Sequence, residues 1–257
     1  MNLGLSAYFL SSLAIAHDPI FSIGPHVLYK NGVEIATELH GEQSEHSENT
    51  LALEFAYGIT GDWAVGTEIP YVIAEDENGT GDLNLYSKYR FWRFDTLGVQ
   101  QSAAVLLRIK FDTGKNEVVN QSTDGLLGFT YGYESIKWYR WISARYQYIG
   151  EASNNLKRGD KIFADIAFGF RYSTPVYRKP DTVWYLELNT EYGMKAKQSN
   201  IELENTGGRQ AFLSPGVFLT LRNFAIKAGV QIPIYQDLND SQQKDDYRYK
   251  VALEWHL

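Results

Sequence analysis

The 257-residue sequence contains no cysteine, so neither a disulfide framework nor a thiolate metal site is open to it. Zero cysteine also fits an exported chain. No apolar run approaches the ~20 residues of a spanning helix, and mean hydropathy is only −0.32. Basic residues are the minority, 24 Lys and Arg against 31 Asp and Glu. A formal charge of −7 argues against a phosphate-backbone binder, and no nucleic-acid partner is expected. No Gly-rich phosphate loop on a strand–helix unit occurs, so no nucleotide site is expected. Histidine is missing from the whole middle of the chain: only His17, His26, His40, His46 and His256 occur. A membrane-embedded hydrolase needs serine, histidine and an orienting polar group brought together on the wall, so an enzyme is the third and weakest reading. No catalytic residue and no cofactor is expected.

What is present is aromatic and periodic. Tyr (18), Phe (13) and Trp (6) reach 14% of the chain, beside 22 Gly. At the C-terminus, Tyr247, Tyr249, Val251, Leu253, Trp255 and Leu257 alternate with Arg248, Lys250, Ala252, Glu254 and His256. A strand sends successive side chains to opposite faces, so this segment has one apolar face and one polar face. The apolar face runs unbroken to the last residue, as in the closing strand of an outer-membrane barrel.

The same alternation recurs upstream. Leu51, Leu53, Phe55 and Tyr57 oppose Ala52, Glu54, Ala56 and Gly58; Val105, Leu107, Ile109 and Phe111 oppose Arg108 and Lys110. Ile162, Ile166, Phe168 and Phe170 face away from Asp165, Gly169 and Arg171. Counting such segments from residue 33 gives about twelve strands, an even number. Short links (58–62, 95–98, 134–137, 172–181, 222–223) alternate with longer polar ones (42–49, 74–81, 112–123, 150–160, 193–208, 236–246). The fold predicted is all-β: a transmembrane antiparallel up-and-down β-barrel of about 12 strands, with short periplasmic turns and longer extracellular loops. Closure is required, because an open edge in lipid leaves backbone groups unpaired at several kcal/mol each. Its surroundings are the lipid bilayer of the bacterial outer membrane, and its C-terminal strand is the expected handle for the barrel-assembly machinery.

Aromatics near strand ends (Tyr57, Trp63, Trp92, Trp138, Tyr148, Trp184, Trp255) are expected to form interfacial girdles. Leu3 to Ala16 reads as an export signal with an Ala14-Ile15-Ala16 cleavage site, although no Lys or Arg precedes Lys30. Either the start lies upstream or the signal is unusually neutral; a buried strand or short helix is the bland alternative. On this reading residues 1–16 are a signal peptide and 17–257 the barrel domain. Three features break the pattern. Arg140 falls on the lipid parity, Pro215 removes a ladder donor and points to a bulge or a rim, and residues 20–29 fit no strand.

Gly81-Asp82-Leu83-Asn84-Leu85-Tyr86-Ser87-Lys88-Tyr89-Arg90 resembles the G-D-L-x-L-x-x-K-Y-R stretch of a transporter-like outer-membrane family labelled "MetA pathway of phenol degradation". Tyr57-Gly58-Ile59-Thr60 followed by Trp63 supports it. Ile109-Lys110-Phe111-Asp112-Thr113-Gly114 is similar to the family's K-x-P-T-G stretch, with Phe111-Asp112 in the neighbourhood of the proline. The resemblance spans roughly residues 33 to 257 and implies passage of small, often aromatic, compounds across the outer membrane.

The lumenal parity carries the candidate site. Lys88, Arg90, Arg108, Lys110, Arg145, Arg171, Lys227 and Arg248 share it with Glu54, Glu68, Asp165 and Glu187. In a narrow bore these are pore-lining candidates for a small-molecule solute, forming a transverse field that orients it. The alternative is that they pair into a network that plugs the lumen, since buried charges must find partners, leaving a structural or binding protein that works through its acidic loops. For metals, His40 and His46 with Glu42, Glu45 and Glu48 match no closed site, and Glu75-Asp76-Glu77 and the 237–246 loop lack the EF-hand pattern. A mature N-terminal His17 offers an amine and a ring, a weak chelator. No metal site is expected.

Overall fold

The computed structural model describes residues 18–44, 47–74, 78–115, 119, 121–172, 180–221 and 223–257. The expected signal peptide and His17, Glu45, His46 and Glu75-Asp76-Glu77 lie outside these residues. The strands run β1 (Val33–Gln43), β2 (Glu48–Thr60), β3 (Trp63–Ala74), β4 (Asn78–Thr80), β5 (Asn84–Thr96), β6 (Val99–Lys110), β7 (Asp124–Ser135) and β8 (Trp138–Tyr148). They continue as β9 (Leu156–Lys157), β10 (Lys161–Arg171), β11 (Asp181–Gly193), β12 (Lys197–Gln198), β13 (Ile201–Glu202), β14 (Gly208–Leu221), β15 (Phe224–Leu238) and β16 (Tyr247–His256). Twelve long strands pair antiparallel with their neighbours in a closed ring. The ring shuts where β1 meets β16, from Glu34 opposite His256 to Gln43 opposite Tyr247. The four short strands belong to the long-loop rim, where β9, β12 and β13 join two loops in a small sheet.

Alternation makes the wall amphipathic. Along β2, Leu51, Leu53, Phe55 and Tyr57 are exposed while Ala52, Glu54 and Ala56 are buried. A coherent belt of such residues, Ile69, Leu85, Leu107, Phe129, Ile142, Ile166, Leu186 and Ile232 among them, is exposed around the outside. That belt is the surface lipid covers. The Tyr57, Trp63, Trp92, Trp138, Trp184 and Trp255 side chains are exposed towards the short-turn, periplasmic ends. Tyr71, Tyr146, Tyr148, Tyr192, Tyr235 and Tyr247 are exposed towards the other. Trp92 reaches the outside because the β5–β6 register shifts between Arg90 and Trp92, and a bulge of this kind sends two neighbours to one face.

The three exceptions resolve differently. Arg140 does lie on the lipid face, two residues from the end of β8, where its long stem lets the guanidinium reach the rim; it sits 5.5 Å from the Tyr133 ring centre. Pro215 stands in mid-strand facing outward, opposite Leu186. Its pairing with β15 lapses at Ser214 and Pro215 without a change of register, and the register shift of β14 falls between Ala211 and Phe212, next to Pro233 of β15. Residues 18–32 are not wall at all, and they define the site.

Candidate functional site

From Gly32, at the periplasmic end of β1, the preceding chain turns into the barrel and fills its middle. Asn31 takes a left-handed φ of 63° at this turn. Its N–H donates to Gly58 O at 2.8 Å, and Gly58 N–H donates to Gly32 O at 2.9 Å. Inside, Ile20, Phe21, Ile23 and Leu28 are buried, as are Asp18 and Ser22. Pro19 and Pro25 bracket this stretch. Proline keeps a segment from extending a β-ladder through its missing donor, so the segment is held by side chains of the wall instead.

The principal hold is Glu187 of β11. Its Oε1 accepts Ile20 N–H at 2.6 Å, and its Oε2 accepts Ser22 N–H at 2.9 Å and Ser22 Oγ–H at 2.8 Å. Phe21 N–H lies within 3.2 Å of the same carboxylate. Successive backbone N–H groups around one carboxylate form an anion nest, here with the anion supplied by the wall. Lys88 of β5 donates from Nζ to Asp18 Oδ2 at 2.6 Å, both side chains fully buried. Thr130 Oγ1 donates to Ile23 O at 2.8 Å, and the His26 ring pairs with Glu134. Room for the segment comes from inward-facing glycines. A Cβ on Gly128 would stand 2.8 Å from Ile23, one on Gly132 2.8 Å from Pro25, and one on Gly229 2.8 Å from Phe21. Within the segment, Gly24 lets Asp18 fold back so that its Oδ1 accepts His26 N–H at 3.3 Å.

Each of the charged candidates has a partner, buried or half-buried except for the exposed Asp62 beside Arg90. Arg90 Nε donates to Asp62 at 2.9 Å and Arg171 Nε to Asp181 at 2.9 Å, both at the periplasmic rim. Lys110 lies 2.7 Å from Asp82 and 3.1 Å from Asp124. Arg145 donates to Asp165 at 2.8 Å. Arg248 lies 2.6 Å from Asp245 and 3.3 Å from Glu191. Lys227 meets Glu254 at 2.8 Å, and Arg108 lies 3.9 Å from Glu68, which also accepts Asn84 Nδ2 at 3.1 Å. Glu54 accepts the Tyr86 hydroxyl. Glu187 and Lys88, two of these candidates, therefore grip the N-terminal segment, and most of the rest pair within the wall.

The interior is not charged throughout. Tyr139, Trp141, Val183, Tyr185 and Phe218 project inward from the periplasmic halves of their strands and pack on Ile20 and Phe21. Across the bore, Tyr86 and Leu106 pack with Ile23 and Leu28. Trp141 stacks on Tyr139 with ring centres 5.4 Å apart. On the extracellular side of the segment two recesses remain. One, small, is lined by Arg108, Lys110 and Asp124. The other, smaller still, is lined by Arg145, Phe163, Asn189 and Phe212.

The comparisons agree on the architecture. A family model described as "Putative MetA-pathway of phenol degradation" matches residues 16–232. The solved COG4313 outer membrane channel from Pseudomonas putida F1 is similar at a TM-score of 0.73 with 10% identity, over 91% of this chain and 98% of that one. The NanC porin follows at 0.56 with 10% identity, over 87% and 100%. The beta domain of the Bordetella autotransporter BrkA gives 0.52 with 12% identity, over 88% and 99%. At such identities the likeness establishes the fold, that of an outer-membrane barrel. No curated protein matches the sequence significantly.

Proposed function

The chain belongs to the putative MetA-pathway of phenol degradation family, and from that premise we propose a passive, non-enzymatic outer-membrane channel for small molecules, aromatic or apolar ones among them, gated by its N-terminal segment. Residues 1–16 are then the export signal and Asp18 the second residue of the mature chain. The C-terminal strand is the element read by the barrel-assembly machinery.

The observation that carries this reading is how the segment is held. Its lumenal part rests on a few side-chain anchors, Glu187, Lys88 and Thr130, and on glycine clefts. The wall is a continuous antiparallel ladder. Elements with few hydrogen bonds open at far lower free energy than the sheet around them, so the segment leaves while the barrel stays shut. Its departure uncovers the faces of Trp141, Tyr185 and Phe218, an apolar, aromatic-lined passage suited to planar rings. The paired charges towards the extracellular side admit the polar edge of such a solute.

The density of ion pairs favours one second reading, a permanently plugged barrel that works through its extracellular loops. Planar-bilayer conductance separates the two. The chain from His17 should show rare or small openings, and the same chain lacking residues 18–28 should show large, persistent ones. Folded, heat-modifiable barrels that never conduct in either form would establish the plugged reading.

A further inference from the structure

One buried cluster lies apart from the anchors of the segment. At the periplasmic end of the closing seam, Glu34 of β1 stands directly opposite His256 of β16, and Glu254 projects from β16 two residues earlier on the same inward face. Glu34 is 1% exposed and Glu254 fully buried. The His256 Nδ1 atom lies 2.9 Å from Glu34 Oε2, its Nε2 lies 3.9 Å from Glu254 Oε2, and one donor atom of each residue falls within 4.8 Å of the others. His256 N–H donates to Asn223 O at 2.8 Å, which fixes the strand end that carries the ring.

Two features set this cluster apart from a saturated ion-pair network. Neither oxygen of Glu34 nor Oε2 of Glu254 receives an aligned hydrogen bond. Lys227 Nζ pairs with Glu254 Oε1 at 2.8 Å, which leaves the Oε2 edge facing the cluster. Buried carboxylate oxygens normally have donors. The second feature is the local charge. Glu34 feels Glu254, Lys227, Asp18 and Lys88, and Glu54 and Glu68 lie next in line with Arg108. Asp18, Glu34, Glu54, Glu68 and Glu254 thus crowd this end of the lumen, interleaved with Lys88, Arg108, Lys227 and Lys250.

We propose that Glu34, Glu254 and His256 bind one divalent transition-metal cation of the zinc class at the seam. Two carboxylates and an imidazole suit zinc, manganese or ferrous iron better than the all-oxygen preference of calcium or magnesium. Bonds of about 2.1 Å hold ligands up to roughly 4.2 Å apart, a small contraction of the cluster. The cation meets the Glu34 and Glu254 carboxylates and cross-links the first and last strands. His256 is partly exposed at the rim, which gives the ion a periplasmic path.

The test uses the full mature chain in detergent, stripped with chelator and titrated with zinc chloride. Calorimetry should find one tight zinc site per chain, and zinc should raise the heat-modifiability midpoint. Glu34→Gln and His256→Gln should each weaken binding at least tenfold and abolish the shift, whereas His40→Gln and His17→Ala should leave both unchanged. Heat-modifiable migration of the stripped variants establishes that they fold. Wild-type barrels that bind no zinc would overturn the proposal. So would binding that survives both seam variants, or that is lost in His40→Gln or His17→Ala, because the ion would then sit in the first loop or at the chain start. Conductance plays no part in this readout, so gating and metal binding stand or fall separately.

Discussion

Replacing Glu187 with Ala attacks the N-terminal segment at its best-held point. The carboxylate accepts Ile20 N–H at 2.6 Å, Ser22 N–H at 2.9 Å and Ser22 Oγ–H at 2.8 Å, with Phe21 N–H at 3.2 Å. Hydrogen bonds to a charged acceptor contribute roughly 1.5–3 kcal/mol each, though not additively within one nest. The released N–H groups also regain water once the segment leaves, so the net loss of holding energy is about 4 kcal/mol. At 1.4 kcal/mol per factor of ten, that multiplies the released population about 10³-fold. A segment free one part in a thousand of the time becomes free about half the time. The wall should survive, because the backbone pairing of position 187 with Ala167 and Ser214 does not involve the side chain. Glu187→Gln keeps one acceptor oxygen but turns an NH₂ towards the remaining donors, and should fall between. The assay is open probability in planar bilayers, with heat-modifiable migration as the control for folding. An Ala variant that folds and conducts no more than wild type, while deletion of 18–28 opens the pore, would refute Glu187 as the principal hold.

Four further outcomes follow from the same geometry. Gly128→Ala places a Cβ 2.8 Å from Ile23 and should raise open probability by roughly tenfold, at about 1–2 kcal/mol of overpacking, without lowering barrel stability by more than about 1 kcal/mol. Lys88→Met leaves Asp18 buried and uncompensated and should likewise open the channel, an effect that Asp18→Asn in the same chain partly reverses. Lys110→Met leaves Asp82 and Asp124 facing each other and should destabilise the folded barrel by about 3 kcal/mol in urea titration. Ile166→Arg, in the middle of the lipid belt, should destabilise by about 2–4 kcal/mol, whereas Arg140→Leu at the rim should shift stability by less than about 1 kcal/mol.

The outer surface of this protein is legible in its sequence because lipid imposes one rule on it. Every second residue of a wall strand meets hydrocarbon, so Leu51-Leu53-Phe55-Tyr57 and Tyr247 to Leu257 are readable without any knowledge of partners. The alternation of short and long connections is equally local, and it places both rims. Where one side chain departs from parity the cause is a bulge: Trp92 faces outward because the ladder slips beside it, and no periodicity at residues 83–91 announces the slip. Pro215 illustrates the reverse. Its missing donor pointed to a bulge or rim, yet it sits in mid-strand, where it interrupts the pairing with β15 without shifting the register, and the bulge lies near Pro233, which shares its chemistry. Sequence locates the candidate cause, and only pairing says which proline takes it.

The lumen is harder to read because its partners are distant in sequence. Glu187 and Lys88 are visible as inward charges, but that they close on Ile20, Ser22 and Asp18 depends on contacts spanning up to 167 positions. The strongest local trace of the segment lies not in residues 18–28, which carry no period, but in the strands they touch. Gly128, Gly132, Gly216 and Gly229 all occupy lumenal positions inside long strands. Glycine weakens a strand unless another backbone or group must come close. Four of them facing one bore require a guest near the wall, and the apolar, proline-bracketed Ile20-Phe21-Ser22-Ile23 is the unassigned stretch that supplies one. The inward aromatics say the same. Trp141, Tyr185 and Phe218 stand on the parity that also carries the charges, and an apolar cluster in a water-filled bore would be unstable unless something apolar covered it. Charge on that parity describes how the barrel satisfies itself; the glycines and aromatics beside it describe what the barrel was shaped to hold.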